Sequence, residues 1–359
     1  MKNKPMTSKE RVLKAFNHEE PDRVPFMYRD VPEVRERLKI DLGVSTDDEL
    51  FEKLNVDFRW VQPEYIGPEL KLENGHTLDI WGVEWKYTKF SETDGYWNEV
   101  SNPLKDAQTV EDLEKYNWPK LEWYDFSKLE DDCDRYSDYA IMTAPGIASP
   151  GIFQSPVQPL IGVERSLMEP YMNPELFNAL VEKILKFQVP FIEKMMQAAN
   201  GKIDFFRIGD DFGTQTGLLM DIAMWEEFIQ PAFEKMAGVA KKYGAHYYQH
   251  SCGSVRDLIP SFINAGVEVL DPIQVKADGM VPAELKAEFG QKLCFSGGVD
   301  EQELLPHGTP TEVKEGVRKL LNEMAGGGGF FMGPTHNLQV DIPTENVLAM
   351  YEAGLEWKC

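Results

Sequence analysis

Short apolar or β-rich segments recur along the chain, each followed by a stretch whose apolar residues fall at three- and four-residue spacing. This is the pattern of parallel strands joined by crossover helices. Eight strands are expected, at Val24–Tyr28, Phe58–Gln62, Ala140–Ala144, Phe205–Gly209, His246–His250, Val267–Leu270, Leu293–Ser296 and Phe330–Gly333. Eight parallel strands close on themselves without a free edge, so the expected fold is an α/β (β/α)8 TIM barrel rather than an open sheet. The clearest helices are Trp225–Tyr243, Pro282–Phe289, Thr311–Met324 and Pro343–Trp357, with Gly326–Gly329 closing the third against the last strand. At the start, Thr7-Ser8-Lys9-Glu10 reads as a capping box opening a helix that runs to about His18, and Pro21 ends it.

No repeat, low-complexity tract or linker divides the sequence, so a single domain over 1–359 is expected. One interval breaks the regular spacing. Residues 63–139 are too many for one crossover, and alternation over Thr77–Lys89 beside an Asn74-Gly75 turn predicts a hairpin within an insertion at the barrel mouth.

Composition narrows the functional classes. A net charge of −23 argues against a nucleic-acid partner, which needs concentrated Lys and Arg to displace counterions. Met1-Lys2-Asn3-Lys4-Pro5 leads into no apolar run of signal-peptide length, and no stretch approaches the roughly 18 apolar residues that cross a bilayer. A cytoplasmic protein without membrane contact is the expectation. The four cysteines are widely spread, and a large domain in a reducing compartment needs no disulfides. Cys294, between Leu293 and Phe295, is expected to be buried, Cys133 to be a surface thiol and Cys359 a free terminus; only Cys252 has chemically suggestive company.

Barrel enzymes carry their reactive groups at the C-terminal ends of the strands. Strand five ends in His250-Ser251-Cys252-Gly253, strand four in Gly209-Asp210-Asp211-Phe212-Gly213-Thr214-Gln215, and strand eight in Gly333-Pro334-Thr335-His336-Asn337. Residues two apart on extended chain point the same way, so His250 and Cys252 can offer an imidazole nitrogen and a thiolate to one metal ion. A catalytic zinc takes a third protein ligand and keeps a fourth position open, and His336 is the best placed residue to supply it. An isolated His-x-Cys equally fits ordinary packing at a strand end. Asp210 and Asp211 are adjacent and so face different ways; one is expected in the pocket, with a helix cap or salt bridge as the alternative. Arg29, Asp30 and Glu64 follow the first two strands, where a guanidinium could grip a substrate carboxylate or simply be rim charge. His18, His76 and His307 read as surface histidines.

Several segments resemble the uroporphyrinogen decarboxylase superfamily: Glu10-Arg11-Val12-Leu13-Lys14-Ala15-Phe16 through Pro21-Asp22-Arg23-Val24-Pro25, Phe295-Ser296-Gly297-Gly298-Val299-Asp300, Gly308-Thr309-Pro310-Thr311-Glu312-Val313, and Gly327–Val347 with its Asp341-Ile342-Pro343-Thr344-Glu345-Asn346-Val347. The likeness covers nearly the whole chain. That superfamily holds decarboxylases and zinc methyltransferases that move methyl groups to or from a corrinoid carried on a separate protein. Decarboxylases have an Arg-Gln-Ala-Gly-Arg run after the first strand, where this chain reads Met27-Tyr28-Arg29-Asp30-Val31-Pro32, and an aspartate near the place of Glu64. The methyltransferases' His-x-Cys zinc pair matches His250 and Cys252. Their third ligand is a cysteine in a Pro-Gly-Cys-Gly segment that falls on His336, where decarboxylases also have histidine.

The resemblance therefore implies, first, a zinc- and corrinoid-dependent methyltransferase acting on a small molecule of methyl ether, methylamine or thiol type. His250, Cys252 and His336 would hold the zinc, and Asp210, Asp211, Gln215 and Arg29 would line the pocket. The chain has no Asp-x-His-x-x-Gly segment of the kind that supplies cobalt's lower ligand, so the corrinoid is expected on a partner protein. A metal-free tetrapyrrole decarboxylase using Glu64 and His336 is the alternative, and a non-catalytic metal- or corrinoid-binding barrel is a third. A homodimer stays open.

Overall fold

The computed structural model describes residues 6–89 and 95–358, so Met1–Pro5 and Cys359 lie outside the described residues. Strands β1 (Phe58–Val61), β2 (Ala140–Thr143), β3 (Phe205–Gly209), β4 (His246–His250), β5 (Val269–Asp271), β6 (Cys294–Val299) and β7 (Phe330–Pro334) form one parallel sheet in chain order. The expected first strand closes it. Met27 N–H donates to Met332 O (2.7 Å) and Met332 N–H to Pro25 O (2.8 Å), while on the other side Asp57 N–H donates to Phe26 O (3.0 Å). The result is a (β/α)8 TIM barrel whose eighth stave pairs with β7 only through a bridge at Phe26. Its ladder stays short because Pro25 has no N–H and the Phe26 amide is taken by the buried Asp57 carboxylate (2.7 Å).

Alternation along the strands explains both sides of the sheet. Phe206, Ile208, Tyr247, Leu270 and Phe295 pack outward with the helices in the main core. Met27, Phe58, Met142, Phe205, Tyr248, Val269, Cys294 and Phe331 point inward and form a separate apolar plug, closed from below by Val12 and Ala15. Those two residues belong to the helix Ser8–Phe16, whose Thr7/Glu10 capping box forms as expected (2.8 and 3.1 Å). Two residues beyond each plug position lies the next inward layer: Arg29, Trp60, Ala144, Arg207, His250, Asp271, Ser296 and Gly333. The period of two thus carries the interior from an apolar floor to a polar layer at the mouth.

The long interval between β1 and β2 is an excursion of small antiparallel elements. Glu64–Tyr65 pairs with Tyr124–Asp125, and Thr77–Leu78, Glu84–Lys89 and Gly95–Glu99 form a three-stranded sheet. The hairpin differs from expectation. The Asn74-Gly75 turn lies between Lys71 and Thr77, which bridge, and Glu84–Lys89 takes Gly95–Glu99 as its main partner. Asp79 makes the turn inside Thr77–Lys89 by accepting the N–H groups of Trp81 and Val83 (2.9 and 3.0 Å). Trp81 is buried with its ring 5.6 Å from Phe187 on the helix Pro174–Ala198, so the excursion packs onto the barrel's outer layer. Among the described residues no helix is long and apolar enough to cross a membrane.

Cys294 is buried in the plug as expected, its Sγ donating to Phe16 O (3.3 Å). Cys133 corrects its expectation: it lies buried on the inner face of Leu129–Arg135, and burial pushes its thiol up to about 12. Leu129 beside it shows the amphipathic face that its acidic neighbours obscure. His18 and His307 are exposed, and His76 is half-buried against Glu84 (2.6 Å).

Candidate functional site

β4 ends with His250 facing the barrel axis, and Cys252, two residues on, turns the same way; His250 Nε2 and Cys252 Sγ stand 3.6 Å apart. His336, just beyond β7, completes a triangle in which the ligand atoms lie within 4.8 Å of one another. A tetrahedral zinc, at about 2.0–2.1 Å from nitrogen and 2.3 Å from sulfur, holds its ligand atoms roughly 3.3–3.8 Å apart. The His250–Cys252 edge has that length, and a shift of about 1 Å would bring the widest edge to it. The three residues fit the donor set and spacing of a catalytic zinc site.

The surroundings favour the ligand form of both imidazoles. Burial, helped by the positive Arg207, lowers the pKa of His250. Burial, Arg29 and His250 bring His336 down to about 4. His250 Nδ1 lies 2.8 Å from Asp271 Oδ2. A neutral ring donating Nδ1–H to that carboxylate leaves the Nε2 lone pair facing Cys252; this tautomer follows from the hydrogen-bond network. An oriented carboxylate–histidine pair is the usual support behind a metal-bound imidazole. Burial also raises the Cys252 thiol pKa, with the Asp211 carboxylate adding to it.

Asp271 was not singled out in the sequence, yet it organises the centre. It is 1% exposed and receives two bonds from Arg29, Nη1 to Oδ2 at 2.7 Å and Nη2 to Oδ1 at 3.0 Å. Burial alone would raise its pKa, but Arg29 and His250 outweigh that and hold its carboxyl well below the usual range. Arg29, which the sequence left open between a substrate grip and rim charge, is engaged by the protein's own carboxylate. The local signal for Asp271 was only Asp-Pro at a strand end; the parallel register that sets it beside His250 supplies the rest. Glu301, also missed, is pushed up to about 7 by burial near this cluster.

The neighbouring aspartates divide. Asp211 lines the cavity with His250 and His336, accepts Cys252 N–H (2.8 Å) and Gln154 Nε2 (3.0 Å), and has Oδ1 3.6 Å from His250 Nε2. Asp210 turns away. It is fully buried and accepts the backbone N–H groups of Ile152, Phe153 and Gln154 at 2.8, 2.6 and 2.5 Å, while burial drives its pKa up to about 7. Its expected catalytic position is corrected to a loop-holding one. Asp210→Ala would strand three amides and should lower the unfolding free energy by about 3 kcal/mol; a denaturation midpoint equal to wild type would show that the loop does not lean on this carboxylate.

Gln215 and Glu64 are not brought to the triangle. Gln215 is exposed in the tight turn after β3, contributing only its carbonyl to Asp278 N–H (2.9 Å). Glu64 has a side chain 55% exposed and pairs with Lys128 (2.6 Å), because the chain leaves the barrel at Pro63 for the Glu64–Tyr65 ribbon. Neither lines the two cavities at the mouth. Asp30 is held by Tyr28 and Arg35 (2.6 Å) on the side of the smaller cavity.

Fold and site define a (β/α)8 barrel with a polar centre built from strand ends. The chain belongs to the uroporphyrinogen decarboxylase (URO-D) family, whose sequence profile matches residues 157–357. It is 23% identical over 197 residues to a methylated-thiol–coenzyme M methyltransferase of Methanosarcina mazei, a match spanning 55% of this chain and 49% of that protein. The chain thus spans about half the length of this curated relative. A solved methyltransferase structure from Methanosarcina mazei superposes with a TM-score of 0.67 over 98% of this chain and 99% of the other, at 18% identity, which speaks for the fold alone.

Proposed function

We propose that this protein is a methyltransferase that holds zinc on His250, Cys252 and His336 and moves a methyl group between a small molecule and a corrinoid carried by a separate protein. The observation carrying this reading is the His250–Cys252–His336 triangle with Asp271 bonded behind His250. Zinc bound there would supply Lewis acidity, lowering the pKa of a coordinated thiol or polarising the heteroatom of a methyl ether or amine.

The chain's own groups do the rest. Asp271 fixes the His250 tautomer, and Arg29 fixes Asp271. Asp211 Oδ1 faces the triangle as the acceptor for a proton released by a substrate thiol. Trp81, Ile80 and Ile147 form an apolar wall on one side of a cavity of about 590 Å³, against which a methyl group can rest. The decarboxylase alternative loses support because Glu64 stands outside this cavity and Arg29 is already paired.

Metal analysis of the purified protein tests the reading. About one zinc per chain is expected, lost in a His250→Ala/Cys252→Ala variant together with methyl transfer from methylcobalamin to a thiol, or from a methyl ether or methylamine to cob(I)alamin. A wild type that takes up no zinc sinks it. Zinc without any exchange would point to the non-catalytic barrel instead.

A further inference from the structure

The inward layer at the barrel mouth holds two guanidiniums and one carboxylate from the strands, Arg29, Arg207 and Asp271. Asp271 is matched by Arg29. Arg207 is left over. Among the described residues no carboxylate pairs with its guanidinium and no hydrogen bond holds it; Asp271 and Asp211 act on it only through their longer-range field. Burial works against its charge. The guanidinium is half-buried and opens onto the cavities at the mouth, so an anion that enters them meets an unneutralised, fork-shaped donor.

Its position says where that partner sits. Among the described residues, Arg207 is the one that lines both mouth cavities, the larger holding His250, His336 and Asp211, the smaller holding Arg29, Asp271 and Trp60. Its Nη1 folds up over Gly209, where an added Cβ would stand 2.8 Å from it. The missing side chain at 209 lets the guanidinium reach toward the strand's C-terminal end. Gly209 is in register with His250 on the adjacent strand, so the guanidinium that folds over Gly209 rises toward the metal triangle.

We infer that Arg207 anchors a carboxylate of the substrate, so that the methyl-bearing heteroatom lies a few bonds away at the His250–Cys252–His336 triangle. The planar fork of arginine matches a carboxylate with two parallel bonds. This rests on the proposed methyl transfer for the identity of the heteroatom, but not for the anion site. The substrate class is a small methylated acid, or the acid that receives the methyl group.

Calorimetric titration with matched pairs tests it: methoxyacetate against methoxyacetamide, and (methylthio)acetate against its amide, on zinc-supplemented and metal-free protein. Wild type should bind the acids roughly 30-fold more tightly than the amides. Arg207→Met should bring that ratio near one while leaving the melting temperature unchanged or higher, because it removes a charge that no hydrogen bond or ion pair among the described residues holds. Arg207→Lys, which keeps charge but not the fork, should fall between. An acid-to-amide ratio near one in wild type, an unchanged ratio in Arg207→Met, or no acid binding at all overturns the inference. A fall in melting temperature with an unchanged ratio would assign Arg207 to packing and overturn it too. An Arg207-dependent ratio in a protein that takes up no zinc would retain the anion site and sink the transferase reading; zinc and transfer with a ratio near one would do the reverse.

Discussion

Asp271→Ala is expected to lower stability by about 4 kcal/mol and to weaken zinc binding by roughly 10- to 100-fold, two losses with different causes. The stability loss comes from Arg29. Its guanidinium makes two bonds to Asp271, and its other contacts are His250 Nδ1 at 3.1 Å and the carbonyls of Pro334 and Thr335 at 3.3 and 3.5 Å, none of them a carboxylate, so removing Asp271 leaves the charge without a counterion. The metal loss comes from His250, whose Nδ1 would no longer donate to a fixed acceptor and whose ring would be free to turn. A double variant separates the two. Arg29→Met added to Asp271→Ala removes the orphaned charge and should restore most of the stability measured by denaturant unfolding, without restoring zinc affinity measured by chelator competition. If the second substitution rescued both, Asp271 would matter only as the partner of Arg29, and its role in aiming His250 would be wrong.

The ease of reading this protein from sequence followed the range of the interactions involved. Strand positions were legible because each stave is an apolar run of a few residues bounded by turn signals, and the boundaries moved by only one to three residues, as at Val269–Asp271 and Cys294–Val299. The stave around Phe26 was expected as a strand yet forms little ladder, since a side chain from Asp57 occupies its amide. The helix Pro174–Ala198 did not stand out, because Pro190 interrupts its 25-residue pattern although the helix continues through it. His250 and Cys252 could be paired from spacing alone, since two residues on a strand end share a face. His336 needed another strand, and Asp271 and Arg207 needed the register: one acidic residue before a proline, or one arginine in Phe205-Phe206-Arg207-Ile208, says nothing of what stands across the barrel. The arginine could have been noticed. A charge at an inward position of an apolar strand is costly to bury, and that cost is itself the signal. Glu64 and Gln215 misled for the opposite reason, being near strand ends in number but carried outward by a ribbon and a turn.

The loop that carries Cys252 depends on a glycine contact, and Gly253→Ala should cost about 3 kcal/mol and reduce zinc affinity at least about tenfold. Gly253 has φ of +86°, and a Cβ there would stand 2.4 Å from the carbonyl carbon and 2.5 Å from the oxygen of Gly213. Both obstacles are backbone, so no rotamer change can relieve the overlap. The loops cannot simply separate, because Cys252 N–H is bonded to Asp211, Gly253 N–H to Gln274 Oε1 (2.7 Å) and Ser254 N–H to Thr214 O (2.7 Å). Whatever moves displaces Cys252 relative to His250, and a zinc site tolerates only a few tenths of an ångström at its ligands. Gly213→Ala is the informative companion. Its Cβ would meet the same crossing from the other side, 2.7 Å from Cys252 O, but Gly213 does not carry the positive φ of Gly253. It should therefore show the overlap cost without the backbone strain, and be destabilised by about 1 kcal/mol less than Gly253→Ala. Equal zinc affinity in wild type and both variants would mean that the close passage of Gly213 and Gly253 does not set the position of the Cys252 thiolate.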